Sequence, residues 1–207
     1  WGNAMYHLLL CDEFGAAVAI SGNTAIVGAS KDDIGANVDQ GSAYVFVKPG
    51  GGWATTSTYT AKFTASDGAG YDEFGCSVAL SGNTAIVGAV VDEVGAGINQ
   101  GSAYIFVKPS DGWATGTELA KLTSSDGASY DSFGGSVALS GNTILVGAYG
   151  DDSEGSAYFF GPHTDLSVSA AVNPASAQPG NTVYLTASIA NYGETYSGLN
   201  QVINAPL

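Results

Sequence analysis

The run Tyr71 to Ala89, with Phe74-Gly75 near its start and Val87-Gly88-Ala89 at its end, recurs in phase around Phe14 and around Phe133. A second mark, Gly-Ser-Ala-Tyr, follows each copy at Gly41, Gly101 and Gly155. No other feature of the chain constrains the fold as much. A unit this short cannot bury both of its faces alone, so it has to stack on copies of itself and form an array.

Within a unit the periodicity is that of strands. Phe14, Ala16, Val18 and Ile20 fall on one side of the first strand, Ala17 and Ala19 on the other, and both sides are apolar. Such a strand belongs to a sheet held between two other sheets. Ser21-Gly22-Asn23 is short and turn-prone, so it makes a hairpin into a second strand, Thr24 to Ala29. A third strand spans Gly41 to Val47, Lys48-Pro49-Gly50-Gly51-Gly52 turns the chain, and a fourth runs from Trp53 to Phe63. The order returns through Ser81-Gly82-Asn83, Gly101 to Val107 and Trp113 to Leu122. Four antiparallel strands per unit, repeated in series, is the plan of a β-propeller blade. The expected class is all-β.

Composition points the same way. The 207 residues are 45% hydrophobic and include 30 glycines; with few helix formers and frequent Val, Ile, Thr, Tyr and Phe, they favour short strands and tight turns. Five lysines and no arginine stand against nineteen acids, a net charge of −14. That surface repels phosphate backbones, which argues against a nucleic acid partner. It also suits a salty medium, where counterions screen self-repulsion. Without an initiator Met, a charged-then-apolar leader or a long apolar run, the chain reads as a processed or excised segment with no membrane span. Cys11 precedes its Asp-Glu-Phe-Gly turn and Cys76 follows its own, non-equivalent places that favour two thiols over a bridge.

Phe-Gly followed by Val27-Gly28-Ala29, Val87-Gly88-Ala89 and Val146-Gly147-Ala148 resembles the FG-GAP repeat, the blade of integrin α-subunit heads and of many bacterial surface proteins. The resemblance covers residues 1–161 and implies three propeller blades over 1–162 with an extracellular or cell-surface setting. Two departures stand out. The proline of the family's Gly-Ala-Pro is Ser30, Val90 or Tyr149 here, and the Asp-rich calcium loop found between the first two strands of integrin-type blades is only Ser-Gly-Asn. Calcium at that position is therefore not carried over. From Asp165 the composition shifts, and Thr182 to Gly193 resembles the opening of a surface-protein immunoglobulin-like domain, with Val183, Leu185, Ala187 and Ile189 alternating as in a half-buried strand. Residues 163–207 are too few for such a sandwich, which needs about 100.

Strand counting exposes a seam. Trp1 to Leu10 is similar to the Trp-led fourth strands, whereas no such strand follows Phe160. Either Trp1, Leu8 and Leu10 close the last blade of their own ring, or they pair with another copy; Val183, Leu185 and Ile189 are candidates for the same kind of strand complementation. A third option has Asp165 to Val172 supplying the outer strand of the last blade. The expected function is a non-catalytic surface protein that assembles with copies of itself, as a filament or layer; the alternative is an integrin-like adhesion module with a protein or glycan ligand.

In a four-stranded meander the fourth-to-first and second-to-third connections share one face. Asp12, Glu13, Asp67, Asp72, Glu73, Asp126 and Asp131 lie in the former, and Asp32, Asp33, Asp39, Asp92, Glu93, Asp151, Asp152 and Glu154 in the latter. Such a face is a candidate for a basic partner or for a cation, calcium among them. Turn chemistry alone also explains Asp at these places. Tyr44, Tyr104 and Tyr158 suit inter-blade packing before sugar platforms, and His7 and His163 share no motif with a carboxylate or serine. No cofactor motif, metalloprotease helix or nucleophile elbow occurs, so no catalytic residue is expected.

Overall fold

The computed structural model describes residues 12–161 and, beyond them, the backbone of three strands. Blade 1 consists of β1 (Phe14–Ser21), β2 (Thr24–Ala29), β3 (Ser42–Val47) and β4 (Ala61–Phe63). Blade 2 repeats it with β5 (Phe74–Ser81), β6 (Thr84–Ala89), β7 (Ser102–Val107) and β8 (Ala120–Leu122). Blade 3 begins with β9 (Phe133–Ser140), β10 (Thr143–Ala148) and β11 (Ser156–Phe160). All three are antiparallel meanders, and no α-helix occurs among the described residues.

The Phe-Gly pair has a physical reason. It sits at a β-bulge, where the pairing slips between Phe74 and Ser77, and Gly75 takes φ +97°, a left-handed value that glycine adopts without penalty. The bulge drives the Phe74 ring into the core, fully buried and edge-on to Tyr104 at 5.4 Å and Phe106 at 6.0 Å. It also pushes the Gly75 backbone against Gly28 of the preceding blade, where a side chain would have no room. Phe133 and Gly134 repeat both contacts against Tyr158 and Gly88. Backbone bonds stitch each junction: Phe74 N–H donates to Gln40 O and Phe133 N–H to Gln100 O, both at 2.9 Å.

Two apolar layers result. Ile26, Val45, Ala61 and Phe63 of blade 1 pack on Val78, Leu80, Val87, Tyr104 and Phe106 of blade 2. Ala79, Ile86, Ala103, Ile105 and Leu122 of blade 2 then pack with Phe133, Ile144, Val146 and Tyr158 of blade 3. Among the described residues the expectation of first strands apolar on both sides and covered on both sides holds for β5, which packs between β1 and β9.

Three sequence expectations need correction. The fourth strands do not begin at their tryptophans: only Ala61–Phe63 and Ala120–Leu122 pair with the third strands. The stretch after Trp113 leans on blade 1 instead, with Gly116 N–H donating to Lys62 O at 3.2 Å and Trp113 Nε1 to Thr24 Oγ1 at 3.4 Å. Next, the outer place in blade 3 is taken by β14 (Gln201–Asn204), antiparallel to β11, and not by Asp165 to Val172. That segment instead forms β12 (Leu166–Asn173), paired along its length with β13 (Tyr184–Asn191). Leu185 and Ile189, read as unpaired assembly positions, thus stand opposite Val172 and Val168. The blades with β14 form one compact unit and the β12–β13 hairpin lies in another. Trp1, Leu8, Leu10, Val183, Cys11 and both histidines lie outside the described residues.

Candidate functional site

The acids of the connecting loops converge, blade by blade, on the tyrosine of Gly-Ser-Ala-Tyr. In blade 1 the Tyr44 hydroxyl donates to Asp32 Oδ2 at 2.8 Å, Ser42 Oγ donates to the same oxygen, and Lys62 Nζ pairs with it at 2.8 Å. Lys62 also stands 5.1 Å from the centre of the Tyr44 ring. In blade 2 the Tyr104 hydroxyl lies 3.0 Å from Asp67 Oδ1 and 3.2 Å from Asp92 Oδ2, while Lys121 Nζ reaches the two carboxylates at 2.6 and 2.7 Å. Blade 3 keeps the tyrosine and the acids, with Tyr158 at 2.9 Å from Asp126 and 2.8 Å from Asp151. It lacks the lysine: Val202 stands opposite Tyr158, where Lys62 faces Tyr44 and Lys121 faces Tyr104.

Register explains why lysine belongs there. It is the fourth-strand residue opposite the tyrosine, so its stem lies along the ring and its ammonium reaches the loop carboxylates. Burial alone would raise the Asp32 carboxyl, but the hydrogen bonds from Lys62, Ser42 and Tyr44 outweigh it and hold Asp32 below the usual carboxylate range. Asp67 is held low in the same way by Lys121 and Tyr104. Burial, then the charges of Asp92 and Asp67, push the Tyr104 phenol far up, so it stays a donor. The sequence reading missed Lys62 and Lys121. The recurring Ala-Lys-Phe and Ala-Lys-Leu, each a few residues before Asp-Gly, is the signal that marks them.

The acidic face is therefore mostly a set of internal ties. Besides the tyrosine clusters, Glu13 accepts from Ser30 Oγ at 2.8 Å, Asp33 from the Asp39 N–H at 2.9 Å, and Glu73 pairs with Lys31 across the first junction. Asp72 and Asp131 are buried turn closers that accept the N–H groups of Ala69 and Ala128. Asp12, Glu13, Asp33, Asp67, Glu93, Asp126, Asp152 and Glu154 are exposed, Asp67 and Asp126 while bonded to a tyrosine. A solvent-open pocket of about 460 Å³ is lined by Asp67, Tyr71, Asp72, Asp92, Glu93 and Asn99. Among the described residues, no three carboxylate, thiol or imidazole groups converge as metal ligands. Cys76 is a free thiol, pushed up to about 11 by burial, with its Sγ 3.8 Å from Gly134 O. Burial thus disfavours the thiolate, the reactive form, at neutral pH.

Asp72 gives the molecule an unusual pH response. Burial raises its carboxyl to about 6, against the Ala69 hydrogen bond and with help from the Asp92 charge. A carboxyl that holds its proton more tightly when folded stabilises the fold as pH drops through that value. Stability should thus rise between pH 7 and pH 4.5, by about 2 kcal/mol, and fall below about pH 3.8 as the depressed Asp32 and Asp67 take up protons. Urea midpoints measured across that range check this, and Asp72→Asn should flatten the rise.

Blades of this kind, stacked through Phe-Gly bulges, define a propeller-repeat protein. The chain matches the FG-GAP repeat over residues 11–46, 58–106 and 117–160, most of its length, and it belongs to that family. FG-GAP repeats are typical of extracellular or cell-surface adhesion and ligand-binding modules. No curated protein sequence matches the chain. No helix among the described residues is long and apolar enough to cross a membrane.

Proposed function

We propose that this chain is a non-catalytic, extracellular structural module that works by associating with further blades, copies of its own among them. The observation that carries this reading is the outward face of blade 1, where Phe14, Val18 and Ile20 are all exposed. A contiguous apolar sheet face of this kind marks an interaction surface. Association runs through sheet faces rather than through an unpaired outer strand, since β14 occupies that place in blade 3. The polar clusters support the fold: each acid near a tyrosine is already used in holding loops to blades.

Sedimentation velocity over a hundredfold concentration range tests the proposal. The chain should sediment above its 20.8 kDa mass, and more so in 1 M than in 0.1 M NaCl, because salt screens the repulsion between chains of charge −14. A single 20.8 kDa species at every concentration and salt would overturn it.

The adhesion reading is favoured by one feature, the acidic pocket at Asp72, Asp92 and Glu93, whose rim suits a lysine or arginine side chain. Salt-sensitive binding of the chain to an immobilised lysine-rich peptide, lost in Glu93→Gln, is its expected signature. Equal binding by that variant would remove the pocket from consideration.

A further inference from the structure

In each blade the third-strand tyrosine gathers loop carboxylates, but the clusters differ in charge. Tyr104 holds Asp67 and Asp92, and Lys121 Nζ bridges the two carboxylates at 2.6 and 2.7 Å. Tyr44 holds Asp32, which Lys62 Nζ meets at 2.8 Å. Tyr158 holds Asp126 at 2.9 Å and Asp151 at 2.8 Å, in the places of Asp67 and Asp92, and no ammonium of the described residues joins them. Register explains the difference. Lys62 and Lys121 stand opposite their tyrosines on the fourth strands, and Val202 of β14 stands opposite Tyr158.

None of the chain's own lysines stands in. There are five, and no arginine. Lys31 is paired with Glu73, and Lys62 and Lys121 serve their own blades. Lys48 and Lys108 follow β3 and β7 at the far end of those strands, where their N–H groups donate to Asn23 O and Asn83 O of the hairpin turns. The third cluster is therefore short of donors as well as of positive charge. A phenol has one proton to give. Burial, then the hydrogen bonds and charges of Asp151 and Asp126, push the Tyr158 phenol far up, so it keeps that proton. Two carboxylates thus meet an oxygen that can donate to only one of them. Asp151 and Tyr158 are 6% and 0% exposed, so solvent does little for them. Asp126 is exposed, which leaves the cluster open on the loop face, as the 48% exposure of the Asp67 side chain does in blade 2.

We propose that Asp126, Asp151 and Tyr158 form a binding site for a primary ammonium group, supplied from the loop face by a lysine side chain of a partner protein. The same arrangement one blade earlier holds an ammonium of the chain itself, and that identifies the ligand. An ammonium also suits the cluster better than other cations. It carries three donors on one small centre, whereas a guanidinium is a wide planar fork. Calcium takes about six to eight oxygens, and among the described residues no three carboxylate, thiol or imidazole groups converge on one point. Because β14 fills the outer place of blade 3, the lysine stem enters beside Asp126 and not along the fourth strand. The contact is separate from the pocket at Asp72 and Glu93 and independent of association through sheet faces.

Nuclear magnetic resonance of the full chain, read at the Tyr158 ring, tests this with a Gly-Lys-Gly peptide of blocked termini as the probe. A saturable shift is expected with that peptide and none with its Nε-acetylated form. Asp126→Asn, at an exposed position, should weaken the response about tenfold or more. Val202→Lys should supply the ammonium from β14, abolish the response and raise the urea midpoint above that of Val202→Met, which has a similar stem without the charge. Gln201→Lys adds the same charge at the neighbouring register position, opposite Phe159, and should leave the response in place. A Tyr158 ring that ignores the lysine peptide would overturn the site, as would equal midpoints for Val202→Lys and Val202→Met or full affinity in Asp126→Asn. A response to calcium chloride that the lysine peptide neither reproduces nor displaces would make this a metal site and overturn the ammonium reading.

Discussion

Gly88→Ala is expected to destabilise the protein by about 3 kcal/mol or more, the upper end for an added methyl group. The new Cβ would lie 3.0 Å from the Gly134 carbonyl carbon, closer still to its oxygen, and against Ser77 Oγ. None of these can yield cheaply. The Gly134 carbonyl belongs to the bulge that places Phe133, and it also accepts Ser77 Oγ at 2.6 Å, so relief means parting blades 2 and 3. Gly147→Ala is the built-in control. It makes the same chemical change at the equivalent place, but within the chain only the Ser136 side chain is near, and the expected cost for the dilute, unassociated chain is below about 1 kcal/mol. Urea denaturation of both variants measures the difference, and equal costs would show that the junction is not close-packed at this glycine.

Lys121→Met should cost about 3 kcal/mol, as removal of one member of a buried ionic cluster does. The methionine keeps the stem along Tyr104 and deletes only the ammonium. Asp67 and Asp92 are then left sharing one phenolic proton, and Asp92 is buried. The partly exposed Asp67 softens the penalty, since solvent screens it. Adding Asp92→Asn to Lys121→Met should return a substantial part of the loss, because the amide restores a donor and removes a charge. If the double variant is as unstable as the single one, Lys121 acts through packing and not through charge.

Much of this was legible in the chain itself. The three blades, their hairpins and most strand limits follow from local rules: alternation, tight turns and glycine at a bulge act within a few residues. The fourth strands were misjudged because each was read as starting at its tryptophan, yet Trp113 and Gly116 bond to Thr24 and Lys62 of another blade. The acids were placed on the right connections, but their role was not legible. In blades 1 and 2 the loop carboxylate meets both the tyrosine and a lysine that follows it by about thirty residues, Lys62 for Asp32 and Lys121 for Asp92. That meeting is set by strand register, which spacing alone does not show, and in blade 3 Asp151 meets Tyr158 without a lysine.

The seam divides what each level decides. The phased repeat by itself determined that blades form and stack, since no unit can cover its own two faces. The sequence also pointed to an opening at one place in the array. Only the tertiary structure decided what that opening is. Strand pairing satisfies hydrogen bonds locally, and β14 fills the outer place of blade 3 from about forty residues away, while covering a sheet face takes another whole sheet. Phe14, Val18 and Ile20 have the composition of a core and the exposure of a surface, a contrast that becomes visible only when the same residues are seen buried one blade further on.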